Sequence, residues 1–83
     1  MGVGSIIVSN LSDEPCHVFV SKYSRPSASD DWFTIPPHSR ESWERAGWEL
    51  VAFKNANDTD RSGVYVRVNS TVSYEAIHNV GVH

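Results

Sequence analysis

The sequence predicts an all-β protein, a small antiparallel β-sandwich of about seven strands, and three observations carry that reading. Short runs of alternating or apolar residues recur at regular spacing, each bounded by Gly, Pro, Asn, Asp or Ser. No segment offers a convincing helix. Third, Trp48-Glu49-Leu50-Val51-Ala52-Phe53 is apolar on both parities apart from Glu49, the pattern of a central strand covered on both faces.

Taken in order, residues 6–8 form a short strand, closed by the turn-forming run 10–15. Residues 16–23 alternate, with Cys16, Val18 and Val20 on one face and His17, Phe19, Ser21 and Tyr23 on the other. The small residues and proline of 24–30 make a long loop. A third strand over 31–35 stops at Pro36-Pro37, since proline cannot donate to a ladder. Residues 39–45 contain Glu41, Glu44 and Arg45, which suit a helix, but Pro37 and Gly47 leave little more than two turns. A strand ending in a turn at Ala46-Gly47 fits the neighbours better. Strands over 48–54 and 64–68 then form a central hairpin around the polar loop 55–63. After the tight turn Asn69-Ser70, residues 71–78 alternate with Val72, Tyr74 and Ala76 on one face, and the tail 79–83 extends the sheet or covers an edge.

Eighty-three residues make one domain, spanning 1–83. A domain of this size buries roughly 60% of its unfolded surface, so its stability margin is thin. Three Trp, three Tyr and three Phe answer that shortage, because each buries roughly 150–250 Å² when packed. The same size invites self-association, and an unprotected edge strand or an aromatic face predicts a homodimer. A net charge of −3 supplies no basic surface and argues against nucleic acid as a partner. The lone Cys16 excludes an intrachain disulfide and favours a reducing compartment. Without a charged n-region or a run of ~20 apolar residues, the expected location is cytoplasmic, or outside the cell by release without a signal peptide.

Two constellations bear on function. In Asp58-Thr59-Asp60-Arg61-Ser62-Gly63, oxygen side chains alternate before a glycine, the first half of a calcium loop, with Asp58, Asp60 and Ser62 as the ligating set. The second half fails, since Asn69 stands where a bidentate Glu is needed. The competing reading is a hairpin loop that uses Asp, Asn and Gly for turn geometry. The second constellation is aromatic and polar. Sugar recognition needs a flat apolar face for the ring's C–H surface and polar groups for its hydroxyls. Trp32, Trp43 and Trp48 offer platforms, and Asp31, Asn55, Asn57, Asp58, Asp60 and Arg61 offer polar partners near strand ends. Against this stands the expectation that at least two of the three tryptophans are substantially buried. Nucleophilic catalysis is not expected, because Cys16 and His17 are adjacent in a strand and point to opposite faces, and no G-x-S-x-G elbow exists.

The stretch Gly47-Trp48-Glu49-Leu50-Val51-Ala52-Phe53-Lys54-Asn55 and the run Asp58-Thr59-Asp60-Arg61-x-Gly63-Val64-Tyr65-Val66 resemble short fungal β proteins grouped with the nematode PUD family. That family is itself similar, distantly, to the aegerolysins. The openings Ile7-Val8-Ser9-Asn10 and Val18-Phe19-Val20-Ser21-Lys22-Tyr23 fit the same pattern. The resemblance implies a β-sandwich that often associates as a dimer, with no established enzymatic activity. Aegerolysins recognise membrane lipids but are considerably longer, so no lipid site is carried over to residues here.

The expected function is therefore non-enzymatic binding, with a glycan as ligand and calcium as an optional cofactor. The alternatives are a lipid- or protein-interaction module, in which membrane lipid or a partner chain meets the aromatic residues, and a structural or stress-related protein without a small ligand.

Overall fold

The computed structural model describes residues 4–83, so the expectations placed on Met1, Gly2 and Val3 lie outside the described residues. The strands are β1 (Gly4–Asn10), β2 (Cys16–Val20), β3 (Phe33–Ile35), β4 (Arg40–Arg45), β5 (Trp48–Lys54), β6 (Arg61–Arg67), β7 (Thr71–Ala76) and β8 (Asn79–Val82). They form two four-stranded sheets, ordered β4-β1-β7-β8 and β3-β2-β5-β6. The all-β sandwich is thus as the sequence predicts, with eight strands rather than about seven. The eighth is the tail, which pairs with β7 and becomes an edge of the first sheet.

One pairing departs from the antiparallel expectation. β1 runs parallel to β7, with Ile7 opposite Thr71 and Asn10 opposite Tyr74. The turn after β6 sets this up. Asn69 takes a positive φ of 74°, which asparagine tolerates, and its N–H donates to the Ser5 carbonyl at 2.7 Å. The chain therefore enters β7 already docked on β1. Farther along β7 the register shifts between Tyr74 and Ala76, a bulge that leaves Ala76 exposed instead of sharing the inward face of Val72 and Tyr74.

The core draws on both sheets: Ile6, Val8, Val72 and Tyr74 from the first, Cys16, Val18, Val20, Ile35, Val51, Phe53 and Val66 from the second. Phe53 and Tyr74 join the layers, with ring centroids 4.9 Å apart. Four polar side chains are buried among them, Asn10, Ser21, Arg45 and Glu49. The Glu49 carboxylate accepts from Ser21 Oγ at 2.6 Å, from the Tyr23 and Ser24 N–H groups at 2.8 Å each, and from Ser24 Oγ. Arg45 lies 3.9 Å from it and donates to the carbonyls of Val20, Ser21, Ser29 and Glu44. This pair explains why β2 stops at Val20 rather than running to Tyr23. Ser21 still donates its N–H to the Leu50 carbonyl of β5 at 2.9 Å, and beyond it the N–H groups of Tyr23 and Ser24 turn to Glu49 instead of a neighbouring strand.

Ser62 faces Phe53 in the β5–β6 register, and its buried Oγ has no hydrogen-bond partner among the described residues. A buried hydroxyl left unpaired costs about 1–3 kcal/mol. Ser62→Ala is therefore expected to leave the melting temperature unchanged or raise it by a few degrees, measured by thermal denaturation. A clear drop would mean that the hydroxyl is bonded in solution.

Candidate functional site

Strand parity sorts β5 into two faces, and the outer one is the unusual surface of the protein. Glu49, Val51 and Phe53 point into the core and are fully buried. Trp48, Leu50, Ala52 and Lys54 point outward and are only partly covered. The expectation that both faces of this strand are covered is thus corrected: among the described residues no further sheet or helix lies over the outer face of the second sheet, yet most of the β5 residues there are apolar. Across the strands, Ala52 stands between Phe19 and Gly63, Leu50 faces Tyr65, Trp48 faces Arg67, and Lys54 stands between His17 and Arg61.

Two aromatic pairs mark this face. Trp48 and Tyr65 stack with centroids 5.3 Å apart and planes 19° apart, and remain 51% and 59% exposed. Toward the other end, Trp32 packs on Phe19 at 5.5 Å. The Lys54 ammonium sits 4.5 Å from the Trp32 ring centroid and the Arg61 guanidinium 5.4 Å from it, both within cation–π range. Four residue steps along β5, about 13 Å, separate the level of Ala52 from Trp48. Leu50, Ala52 and Gly63 floor the interval, and Gly63 keeps it flat: a Cβ there would come within 3.3 Å of Leu50 Cδ1.

The loop 55–60 is held by its own polar groups. Asn55 Oδ1 accepts from the N–H groups of Thr59 (2.8 Å) and Asp60 (3.2 Å), and Asn55 Nδ2 donates to Thr59 Oγ1. Asp58, at a φ of 53°, receives a bidentate pair of hydrogen bonds from Arg61 at 2.7 and 2.8 Å. Those bonds, and then the charges of Arg61 and Lys54, hold the Asp58 carboxyl below its ordinary value, and the same contact raises Arg61. Asp60 Oδ2 lies 2.6 Å from His78 Nε2.

This geometry answers the calcium expectation. Asp58 is turned to Arg61, Asp60 to His78, and Ser62 lies on the inward face of β6, so the three oxygens do not converge on one point. Among the described residues no group of three or more His, Cys, Asp or Glu is placed to hold a metal ion.

Of the residues expected to bind ligand, Trp32, Asn55, Asn57, Asp58, Asp60 and Arg61 gather at one end of the sandwich. Trp48 stands on the same outer face at the opposite end. Asp31 is exposed beside Trp32, its carboxylate and N–H both bonded to Ser29 Oγ. Trp43 stands apart from these residues. It pairs in register with Ile6, shares that residue's inward face, and packs half-buried on the core with its ring edge-on to Phe33 at 6.0 Å. The expectation for the tryptophans is met in part, with Trp32 and Trp43 both partly buried.

The sequence reading missed Phe19, Lys54 and Arg67 as members of this face, although the parities of β2, β5 and β6 together would have placed them there. Cys16 offers no nucleophile. It is buried, burial pushes its thiol up to about 11, and His17 points away to Thr34 Oγ1 at 3.0 Å.

Compared with protein-family models, curated proteins and solved structures, the chain matches none. Among the described residues no helix is long and apolar enough to cross a membrane.

Proposed function

We propose that the protein is a non-enzymatic glycan-binding module that receives an oligosaccharide along the outer face of its second sheet. The observation that carries this reading is the uncovered apolar face itself, with an aromatic pair at each end of a flat floor. Contiguous apolar surface of this kind marks interaction sites in soluble domains. Sugar C–H faces stack on Trp48 and Tyr65 at one end and on Trp32 at the other. Arg61, Lys54 and Arg67, which border the face, supply donors for hydroxyl or carboxylate oxygens. With Asp58 and Asp60 already paired to cationic or imidazole groups, calcium has no part in this reading.

A glycan array with purified protein tests it, run once with calcium and once with EDTA. The expected result is a set of hits indifferent to EDTA that strengthen with chain length until both aromatic pairs are spanned. Trp48→Ala should weaken the best hit about tenfold or more, equivalent to ~1.4 kcal/mol. Trp43→Phe should leave it unchanged. A blank array, with concentration-dependent self-association or co-flotation with lipid vesicles, would transfer the same face to the interaction-module reading.

A further inference from the structure

A second concavity opens on the end of the sandwich rather than on its flank. It is a cleft of about 700 Å³ between the turn after β1, the start of the 55–60 loop and the β7–β8 turn. That volume falls within the roughly 300–1,000 Å³ of small-ligand sites. Leu11, Ala76 and Ile77 give it an apolar wall, and Leu11 is 49% exposed there. Asp13, Glu14 and Glu75 line it together with Lys54 and the His17 imidazole among the described residues. Asp13 is already bonded to His38 at 2.7 Å, and the Lys54 ammonium lies over the Trp32 ring. Glu14 and Glu75 are left without a cationic partner among the described residues.

Tyr74 is the second observation. Its side chain is 9% exposed, its ring is packed on Phe53, and it lines the cleft. Its hydroxyl takes no hydrogen bond from or to a described residue and stays accessible from the cleft, where an incoming polar atom can reach it. Burial above all, with the nearby Glu14 carboxylate adding to it, raises the phenol above its ordinary value, so it stays protonated and able to donate. A neutral donor thus faces a cleft with an acidic rim and an apolar wall.

We propose that this cleft binds an organic ammonium compound with an apolar body, its charge set against Glu14 and Glu75, its body against Leu11, Ala76 and Ile77, and a polar atom on the Tyr74 hydroxyl. The site does not rest on the glycan reading: it uses none of its stacking residues and shares only Lys54 with it.

The test is a titration of the full chain, followed by heteronuclear NMR, with tryptamine, indole-3-acetate and putrescine as probes. Tryptamine should bind saturably and shift the resonances of Leu11, Tyr74 and Ile77. Indole-3-acetate, with the same rings and the opposite charge, and putrescine, with charge but no apolar body, should each bind about tenfold more weakly. Tyr74→Phe keeps the packed ring and should weaken tryptamine about three- to tenfold, as loss of one hydrogen bond does. Glu75→Gln, an exposed and fold-neutral change, should weaken it about threefold at low salt, while Trp48→Ala leaves it unaltered. The proposal is overturned if the anion binds as well as the amine or if no saturable binding appears up to millimolar tryptamine. Wild-type affinity in both Tyr74→Phe and Glu75→Gln overturns it equally.

Discussion

Glu49→Gln is expected to destabilise the fold by about 3–5 kcal/mol, the loss that follows when one partner of a buried ionic network is removed. For a chain of this length the whole fold is worth only about 4–12 kcal/mol, so the variant should be partly or wholly unfolded at 37 °C. The reason lies in the donors. Each carboxylate oxygen accepts two hydrogen bonds, Oε1 from Ser21 Oγ and the Tyr23 N–H, Oε2 from the N–H and Oγ of Ser24. An amide offers one acceptor, and its NH2 would point at a buried N–H.

The same network fixes the pH dependence. Desolvation pushes the Glu49 carboxyl up, but the hydrogen bonds from Ser21, Ser24 and Tyr23 outweigh it and hold it below the ordinary 4.5. A carboxyl with a depressed folded value contributes stability that is complete above its unfolded value and is lost as pH falls through the folded one. The gap between wild type and Glu49→Gln, measured by urea denaturation, should therefore narrow below about pH 4.

A paired control separates charge from wiring. Replacing a buried ion pair by apolar residues is often neutral. Here the double variant Arg45→Met/Glu49→Leu would strand the carbonyls of Val20, Ser21 and Ser29 and the N–H groups of Tyr23 and Ser24. It should stay destabilised by about 3 kcal/mol or more. Recovery to wild-type stability would show that the pair acts by attraction alone.

Glu49 also shows where the sequence was legible and where it was not. Period-two alternation correctly assigned the strand class of β2, β5 and β7, because each side chain's face follows from local geometry alone. On β5 alternation also separates Glu49, Val51 and Phe53 from Trp48, Leu50 and Ala52, but both sets look suitable for burial. Composition then favoured the wrong conclusion. The one carboxylate in the strand lies in the core, and the tryptophan lies outside. Nothing within 48–54 reveals this, because the donors that make Glu49 tolerable arrive from Ser21, Tyr23 and Ser24, some 25 to 28 positions away. The parallel pairing of β1 with β7 is hidden for the same reason, since it links segments more than 60 residues apart in the chain. The cleft was invisible too, being assembled from turns and strand ends that share no motif and lie far apart in the chain. What the sequence did locate was the cluster around Trp32 and Arg61. There the polar loop and the aromatic residue preceding β3 meet at one end of the second sheet.

Asn10→Asp, a change of one atom type, should cost about 3–5 kcal/mol at pH 7 and less as the solution is acidified. Asn10 is fully buried, and its Nδ2 donates to the carbonyls of Glu14 at 2.7 Å, Ile35 at 3.1 Å and Pro36 at 3.2 Å. An aspartate would set an anionic oxygen against those three acceptors in a site without water's dielectric, which raises its folded pKa. The sign follows directly. Below the unfolded value of about 3.9 the group is protonated in both states and the charge penalty vanishes, whereas it grows as pH rises and levels off above the folded value. Asn10→Ala removes the donor without adding charge and should cost less, about 2–3 kcal/mol, with no such pH dependence relative to wild type. Equal destabilisation of the two variants at pH 7, or a penalty that persists unchanged at pH 3.5, would contradict the role assigned to Nδ2. Function is bound to the same atoms. Asn10 Oδ1 accepts from the N–H and Oγ of Ser12, and Nδ2 anchors Glu14, so this one amide shapes the turn that forms the acidic wall of the cleft. Asn10→Ala held folded at low temperature should therefore lose tryptamine affinity while keeping its glycan hits. A buried side chain without ligand contact would then set the geometry of one binding surface and leave the other untouched.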